Sequence, residues 1–301
     1  MKPRVIVIVG PTASGKTSAS IKLAEKINGE IISADSMQIY KEMNIGTAKP
    51  TLEEMNGIKH YMFDVVAPDE TFNVTKYVEK AIECVKEIVS KGKIPIIVGG
   101  TGLYVSTLIN GIEFCEVNED PNYRKEMTEL AEEKGNHYLH EMLEKIDPEA
   151  AKNIDANNVR RVIRALEIYK VTGKTKTLLD KESRKEVPFD YKLYGIETNR
   201  EVLYDRINKR VDKMLEDGLI DEVKELLEKY TFSSTAIQGL GYKEVKEYLD
   251  GKLSYDEMAE KLKMETRRYA KRQLTWFRRE KAIMWCKLDE IVDRILLDMK
   301  A

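Results

Sequence analysis

A glycine-rich octapeptide near the start of the sequence limits most strongly what this chain can fold into. It reads Gly10-Pro11-Thr12-Ala13-Ser14-Gly15-Lys16-Thr17 and fits the pattern G-x-x-x-x-G-K-[ST]. The apolar, β-branched run 5–9 precedes it, and residues 18–27 follow with apolar side chains at helical spacing. A strand, a glycine turn and a helix start in this order form a P-loop, whose backbone N–H groups and helix N-terminus bind phosphate.

The loop's side chains predict how such a ligand is held. Lys16 is placed to reach the terminal phosphate, and the Thr17 hydroxyl is placed to bind Mg²⁺. The alternative is a glycine turn that only caps a strand. The motif indicates phosphate or pyrophosphate without specifying a nucleotide.

Composition sets the class of protein. The chain has 301 residues, of which 42% are hydrophobic and 34% charged, with a net charge of −2. This predicts a soluble globular protein with one large domain, or one domain with an insertion. Near-neutral charge argues against a protein that coats nucleic acid, but it leaves room for a local basic face.

The cysteines and the apolar runs predict the compartment. Cys84, Cys115 and Cys286 are odd in number, far apart and without C-x-x-C spacing, which favours reduced thiols and no zinc site. No apolar run approaches the ~18 residues of a membrane span, and the chain enters a core strand after four residues. We therefore expect a cytoplasmic protein without a signal peptide.

Two further strands end in polar segments. The run 30–34 leads into Asp35, and the buried strand 94–98 leads into Gly99-Gly100-Thr101. Ligands gather at the carboxyl ends of parallel strands, so both segments are expected beside the P-loop. Asp35 is a candidate to bind Mg²⁺ through water or to take a proton, or else it only caps a turn. Thr101 is a candidate donor, or part of a tight turn.

The middle of the chain lacks the alternating strands and helices of the N-terminal part. Residues 113–188 are polar, helical in pattern and without strand signals, and they contain the breaks Asp120-Pro121 and Asp147-Pro148. Within them Arg160, Arg161 and Arg164 lie on neighbouring surfaces of one helix. A solvated basic face is the alternative to a binding surface.

The C-terminal third begins with a return strand, 191–197, and a predicted capping box from Thr198 to Glu201 that opens a helix ending at Gly218. Arg206 and Arg210 share one face of that helix. The segment 238–243 is a glycine-hinged junction, and a second capping box at Ser254 opens a long helix.

The end of this long helix is basic. Between residues 267 and 279 there is no acidic residue, and the basic ones are Arg267, Arg268, Lys271, Arg272, Arg278 and Arg279. Tyr269, Trp276 and Phe277 are interleaved with them. Arginine beside aromatic rings suits phosphate contact and base stacking on single-stranded nucleic acid.

These elements predict an α/β fold with a P-loop NTPase-like parallel sheet core and a helical insertion domain. The core is expected to comprise 1–114 and 190–301 with C-terminal helices, and the insertion 115–189.

Six segments together resemble the bacterial tRNA dimethylallyltransferases. They are the P-loop, Asp35-Ser36-Met37-Gln38-Ile39-Tyr40, Asn44-Ile45-Gly46-Thr47-Ala48-Lys49-Pro50, Val98-Gly99-Gly100-Thr101-Gly102-Leu103-Tyr104, Arg164-Ala165-Leu166-Glu167 and Lys271-Arg272-Gln273-Leu274-Thr275-Trp276. They occur in the family's order and span nearly the whole chain. From the cysteine pattern we expect none of the C-terminal zinc finger that the eukaryotic relatives carry.

The resemblance implies transfer of the allyl group of dimethylallyl diphosphate to N6 of the adenine 3′ to the anticodon, with release of diphosphate. Asp35 is similar to the family's general base. Thr12, Lys16 and Arg210 match its diphosphate contacts and, with Asp35, form the implied catalytic set. The loop Gly10, Pro11, Thr12, Ala13, Ser14, Gly15, Lys16 and Thr17 binds the diphosphate or a nucleotide such as ATP, and Thr17 binds Mg²⁺.

The resemblance also implies partners. The expected protein is a monomer that binds the anticodon stem-loop of tRNA and has no membrane partner. The insertion 115–189 is expected to bind tRNA. The residues matching tRNA-contacting regions are Asp35, Ser36, Met37, Gln38, Thr101, Arg124, Arg160, Arg161, Arg164, Gln238, Gly239, Gly241, Lys243, Lys271, Arg272, Gln273, Trp276 and Arg278.

Two alternatives remain open at this point. An adenylate isopentenyltransferase performs the same chemistry on free AMP, but the helical insertion and the basic C-terminal helix are hard to explain with so small an acceptor. A small-molecule P-loop kinase would consume ATP and release no diphosphate.

Overall fold

The computed structural model describes residues 2–113 and 119–300. Within them the chain forms two compact units. The first runs up to Leu108 and resumes at Pro188, and the second covers Ile109–Val187. Cys115 lies outside the described residues.

A six-stranded sheet forms the centre of the first unit. All its neighbouring strands pair in parallel, in the order β3-β2-β4-β1-β5-β6. The strands are β1 (Arg4–Val9), β2 (Gly29–Ser33), β3 (His60–Tyr61), β4 (Ile94–Gly99), β5 (Asp190–Glu197) and β6 (Met284–Lys287). The predicted parallel α/β core is confirmed.

The central strand is buried because its side chains are apolar on both faces. Residues 5–9 of β1 are all 0% exposed, as expected for a parallel strand covered by helices on two sides. The helices of this unit are α1 (Lys16–Ile27), α2 (Val74–Ser90), α3 (Gly102–Ile109), α9 (Arg200–Glu216), α10 (Leu219–Lys229), α11 (Tyr242–Leu249), α12 (Tyr255–Phe277) and α13 (Ile291–Lys300), with a 3-10 turn at Ala236–Gln238.

The second unit is helical and has its own core. Its helices are α4 (Pro121–Lys134), α5 (Asn136–Ile146), α6 (Pro148–Asn153), α7 (Val159–Thr172) and α8 (Lys176–Glu182). Leu139, Leu143 and Val162 are 0% exposed at its centre. The two Asp-Pro breaks are helix starts, since Asp120 and Asp147 each accept a backbone N–H as N-caps. One isolated bridge joins Ile112 to Arg184.

One predicted helix start is off by a residue. The N-cap of α9 is Asn199, whose side chain accepts the N–H of Glu201, and not Thr198. The Thr198 hydroxyl is buried without a partner within the described residues. The second predicted capping box is confirmed, because Ser254 and Glu257 exchange hydrogen bonds at the start of α12.

Two negative findings apply to the described part of the chain. No helix in it combines the length and apolar character needed to cross a bilayer. Cys84 and Cys286 are free and half-buried, and no three metal-ligating side chains among His, Cys, Asp and Glu come together in these residues.

Candidate active site

The P-loop connects the carboxyl end of β1 to α1. Gly15 adopts a φ of +92°, and a Cβ added there would lie 2.6 Å from Leu288 Cδ2, so only glycine fits without displacement. No side chain caps the start of α1. Its first-turn N–H groups therefore have no capping acceptor, which is the arrangement that binds an anion at a helix N-terminus.

Lys16 lies at the start of α1 with its amine folded over the loop. Its Nζ donates to the carbonyl oxygen of Pro11 at 2.7 Å. Burial, followed by the positive charge of Arg210, lowers the pKa of Lys16 to about 7, although the negative charge of Asp35 opposes both effects. An anionic ligand would offset the first two effects and restore the ammonium form.

Arg210 reaches the same loop from α9. Its Nη1 donates to the Thr12 hydroxyl at 3.4 Å. Burial lowers the pKa of Arg210, and the charge of Asp35 raises it. Lys16 and Arg210, which the resemblance implies as diphosphate contacts, thus both lie at the P-loop although they are far apart in the sequence.

Asp35 follows β2 and lies close enough to both basic groups to affect their pKa values. Its Oδ1 accepts the N–H of Met37 at 2.9 Å and that of Gln38 at 3.4 Å, so it does cap a turn. Within the described residues no hydrogen bond is recorded for its other oxygen. The carboxylate therefore combines a fixed orientation with one oxygen that remains available to a ligand.

Thr101 lies beside this turn, at the end of β4. Its hydroxyl oxygen accepts the N–H of Ser36 at 3.0 Å. Tyr269, one of the aromatic residues interleaved with the basic ones, lies beside Thr101 and Gln273. Burial, followed by the negative charge of Asp35, raises the pKa of Tyr269. Tyr269 is a site residue that sequence reasoning missed, because its neighbours are far away in the chain.

Gln38 is turned inward. Its Oε1 accepts from Ser33, and its Nε2 donates to the carbonyl oxygens of Thr47 and Ala48. These bonds tie the turn after β2 to the loop 44–50. The placement favours a structural role over the direct tRNA contact that the resemblance implies.

Glu222 of α10 holds the same loop and was not predicted. Its carboxylate accepts the backbone N–H groups of Asn44, Ile45 and Gly46 at 2.7–3.1 Å, and the Tyr242 hydroxyl at 2.6 Å. The junction 238–243 is thereby fixed against loop 44–50.

The glycines of this junction shape the backbone. Gly239 is buried, and a Cβ there would lie 3.1 Å from Met37 Sδ. Gly241, with a φ of +92°, begins α11. Gln238 and Lys243 are exposed.

Trp276 and Phe277, at the end of α12, are both held against the protein. Phe277 is 2% exposed and belongs to the core. The Trp276 Nε1 donates to Ser106 at 2.8 Å, and the ring packs where a Cβ of Gly102 would lie. The interpretation of Phe277 as a base-stacking residue is wrong, because it points toward the protein interior.

The basic residues between positions 267 and 279, at the end of α12 and just beyond it, divide into two groups. Arg267 donates to Asn208 at 2.5 Å, and Arg268 pairs with Glu265 at 2.6 Å. The exposed basic side chains with no ion pair in the described chain are Lys271, Arg272, Arg278 and Arg279. This second group keeps its charge available to a polyanion.

In the helical unit, a buried carboxylate organises two of the predicted arginines. Glu167 is 0% exposed and accepts from Arg124 Nε and Nη2 at 2.8 Å each, and from Arg164 Nη1 at 2.5 Å. Arg160 and Arg161 are exposed and have no ion pair within the described residues. Arg160 and Arg161 therefore carry the unpaired charge of α7.

The first unit thus brings together, on one edge of its sheet, a phosphate cradle, two cations and an oriented carboxylate. Such a set can stabilise charge on a departing phosphate group and accept a proton from a nucleophile. The exposed Thr17 hydroxyl, without a recorded hydrogen-bond partner in the described residues, suits Mg²⁺ when substrate phosphates supply further oxygens.

Comparison with known proteins decides the family. The model of the IPP transferase family matches residues 38–280, which is most of the sequence. The chain belongs to the IPP transferase family. Among relatives in this family, the tRNA dimethylallyltransferase of Acetivibrio thermocellus is 56% identical over 95% of this chain and 92% of its own length. That of Carboxydothermus hydrogenoformans is 49% identical over 99% of this chain and 98% of its own.

Solved structures of the IPP transferase family share the architecture. The full-length tRNA isopentenylpyrophosphate transferase of Bacillus halodurans is 43% identical, with a TM-score of 0.74 over 100% of this chain and 96% of its own. A eukaryotic dimethylallyltransferase acting on tRNA is 34% identical, with a TM-score of 0.76 over 95% of this chain and 74% of its own. The fold class predicted from the sequence agrees with both.

Proposed function

We propose that this chain transfers the dimethylallyl group of dimethylallyl diphosphate to N6 of the adenine 3′ to the anticodon in tRNA, releasing diphosphate. The observation that carries the proposal is the convergence of Asp35, Lys16 and Arg210 on one edge of the sheet. The chain's family and its similarity to named tRNA dimethylallyltransferases support the same conclusion.

The reaction balances within this site. The bond from N6 to C1 of the allyl group forms, and the bond from C1 to the diphosphate oxygen breaks. The oxygen of Asp35 without a hydrogen bond accepts the N6 proton. Lys16, Arg210 and the P-loop N–H groups bind the diphosphate as its negative charge develops.

Mg²⁺ is the cofactor we propose, held by the Thr17 hydroxyl. When bound, it would supply positive charge to the phosphate oxygens. The protein's own groups orient the diphosphate and the acceptor.

We further propose that the Ile109–Val187 unit is the tRNA-binding insertion of a cytoplasmic monomer. The support is the unpaired charge of Arg160 and Arg161 in that unit. In the sheet-containing unit, Lys271, Arg272 and Arg278 are the corresponding cations. Exposed cations without internal partners suit contacts to backbone phosphates.

The experiment that tests the function compares acceptors. Labelled dimethylallyl diphosphate and Mg²⁺ are supplied with an anticodon stem-loop, with the same stem-loop carrying purine in place of the target adenine, or with free AMP. We expect label only in the adenine stem-loop. Labelling of AMP at a similar rate would make the chain an adenylate isopentenyltransferase.

Arg210→Ala should raise KM for dimethylallyl diphosphate about ten- to a hundredfold and change KM for tRNA much less. The reason is that a charge-assisted contact to the diphosphate contributes about 1.5–3 kcal/mol. Steady-state kinetics with each substrate varied in turn measure both constants. Arg206→Ala is the matched control, since Arg206 is exposed one turn earlier and lines a separate groove beside α1 and α13. A larger effect of Arg210→Ala on KM for tRNA would assign Arg210 to RNA contact.

The affinity for inorganic diphosphate should fall as pH rises above about 7. Lys16, with a pKa near 7 in the free protein, is an ammonium below that pH and must take up a proton to bind an anion above it. One linked proton changes the dissociation constant by up to about tenfold per pH unit. Calorimetry from pH 6 to 9 measures the slope of the logarithm of the dissociation constant against pH. Lys16→Arg, which stays charged over this range, corrects for the titration of diphosphate itself. Equal slopes in the wild-type protein and in Lys16→Arg would contradict proton uptake by Lys16 on binding.

Arg161→Gln and Lys271→Gln should each weaken stem-loop binding and flatten its salt dependence. Each phosphate contact on single-stranded RNA contributes about −0.7 to the slope of log K against log salt. Titrations at several salt concentrations measure the slope, with Lys181→Gln as a control because Lys181 already pairs with Glu149. Wild-type slopes in the Arg161 and Lys271 variants would identify these helices as ordinary surface and favour free AMP as the acceptor.

A further inference from the structure

Gln273 joins the P-loop to the turn after β4. It is 5% exposed, on the inner side of α12. Its Oε1 accepts the N–H of Thr12 at 2.8 Å, and its Nε2 donates to the carbonyl oxygen of Gly100 at 3.0 Å. Because one partner is a donor and the other an acceptor, only one orientation of the amide satisfies both.

The close approach of Gln273 depends on glycine at its partner position. A Cβ added to Gly100 would lie 2.1 Å from Nε2 of Gln273. Trp276, one turn along α12, packs in the same way against Gly102. The helix is therefore seated on a turn whose two glycines make room for it.

We propose that Gln273 is a positioning residue for the diphosphate site and not a tRNA contact. This inference rests on the proposed function and names a further residue of the same site. The amide fixes the backbone of Thr12, and the Thr12 hydroxyl is the group that Arg210 contacts. Gln273 thus determines where one wall of the phosphate cradle lies.

Because the Gln273 amide is buried, its loss should disturb the diphosphate site and leave RNA binding intact. Removing the amide leaves the Thr12 N–H and the Gly100 carbonyl without their partner, and a buried unpaired group costs free energy unless the backbone moves. Movement of Thr12 changes the diphosphate site directly. Lys271 and Arg272 lie on the exposed side of α12 and do not depend on the amide.

The first test compares how substitutions at Gln273 and at Lys271 change the affinities for diphosphate and for RNA. Gln273→Leu should raise the dissociation constant for inorganic diphosphate with Mg²⁺ about tenfold and leave that for a synthetic anticodon stem-loop within about twofold. Lys271→Gln should show the reverse. Stem-loop binding weakened more than diphosphate binding by Gln273→Leu would overturn the proposal.

The second test separates positioning from general loss of stability. Gly100→Ala should weaken diphosphate binding, since the new methyl group displaces the Gln273 amide. In the double variant with Gln273→Ala the nearest remaining atom, Gly10 O, lies 3.5 Å from that methyl group, so Gly100→Ala should add no further effect. Changes in diphosphate binding free energy that are not additive between the single variants and the double variant support the proposal, whereas additive changes would overturn it.

Two controls keep the interpretation clear. Thr266→Val removes a buried hydroxyl two turns earlier on α12, where it donates to the Leu262 carbonyl of the same helix, and should leave diphosphate affinity unchanged. A Thr266→Val effect as large as that of Gln273→Leu would show that any disturbance of α12 suffices and would overturn the proposal. If the wild-type protein binds diphosphate but transfers no allyl group, the proposed function fails while the role of Gln273 in the cradle stands.

Discussion

Asp35→Asn should slow single-turnover transfer by about 10²–10⁴-fold, since the amide cannot take up the N6 proton. The substitution keeps the shape of the side chain and leaves an oxygen to accept the N–H groups of Met37 and Gln38. The turn after β2 should therefore persist, and both substrates should still bind. Rapid-quench kinetics at saturating concentrations of both substrates measure the chemical step.

The comparison with Asp35→Ala separates the two roles of this carboxylate. Alanine removes both the base and the cap of the turn, so it should slow transfer at least as much and also weaken stem-loop binding. An unchanged single-turnover rate in Asp35→Asn would exclude Asp35 as the base.

Lys16→Ala should lower kcat by about 10²–10³-fold, with affinity for tRNA nearly intact. The ammonium is positioned to interact most strongly with the diphosphate as it departs, and loss of one such contact has this typical cost. Lys16 lies at the start of α1, and within the described chain its amine donates a hydrogen bond to the Pro11 carbonyl alone, so we expect its removal to leave the fold in place.

Turnover measured at saturating dimethylallyl diphosphate distinguishes a catalytic from a binding role for Lys16. Restoration of wild-type kcat at high substrate concentration would mean that Lys16 contributes only to ground-state binding. Circular dichroism of Lys16→Ala provides the check that the protein is folded.

Local patterns were sufficient to predict most of the fold. The P-loop context, the buried run of β1 and the carboxyl-end position of Asp35 follow from residues adjacent in the sequence. The breaks predicted at the two Asp-Pro pairs are where α4 and α6 begin, with Asp120 and Asp147 as N-caps. The start of α9 was placed wrongly because Thr198 and Asn199 are both good N-caps, and the choice between them depends on how β5 ends.

The connections within the site could not be predicted in the same way. Gln273 meets Thr12, and Glu222 meets the loop 44–46, across more than a hundred residues of sequence. Helical periodicity could have corrected one error, since Ala270, Gln273 and Phe277 recur at the spacing of one buried face. Phe277 was assigned to base stacking only because it lies among basic residues in the sequence.

The most direct test of the account measures diphosphate release and allyl transfer in the same reaction. The wild-type protein is mixed with Mg²⁺, labelled dimethylallyl diphosphate and an anticodon stem-loop, and both products are counted over time. We expect one diphosphate released for each allyl group attached to N6 of the target adenine, and no release when ATP replaces dimethylallyl diphosphate. Phosphate transfer from ATP, or diphosphate release without allylated RNA, would contradict the proposed function.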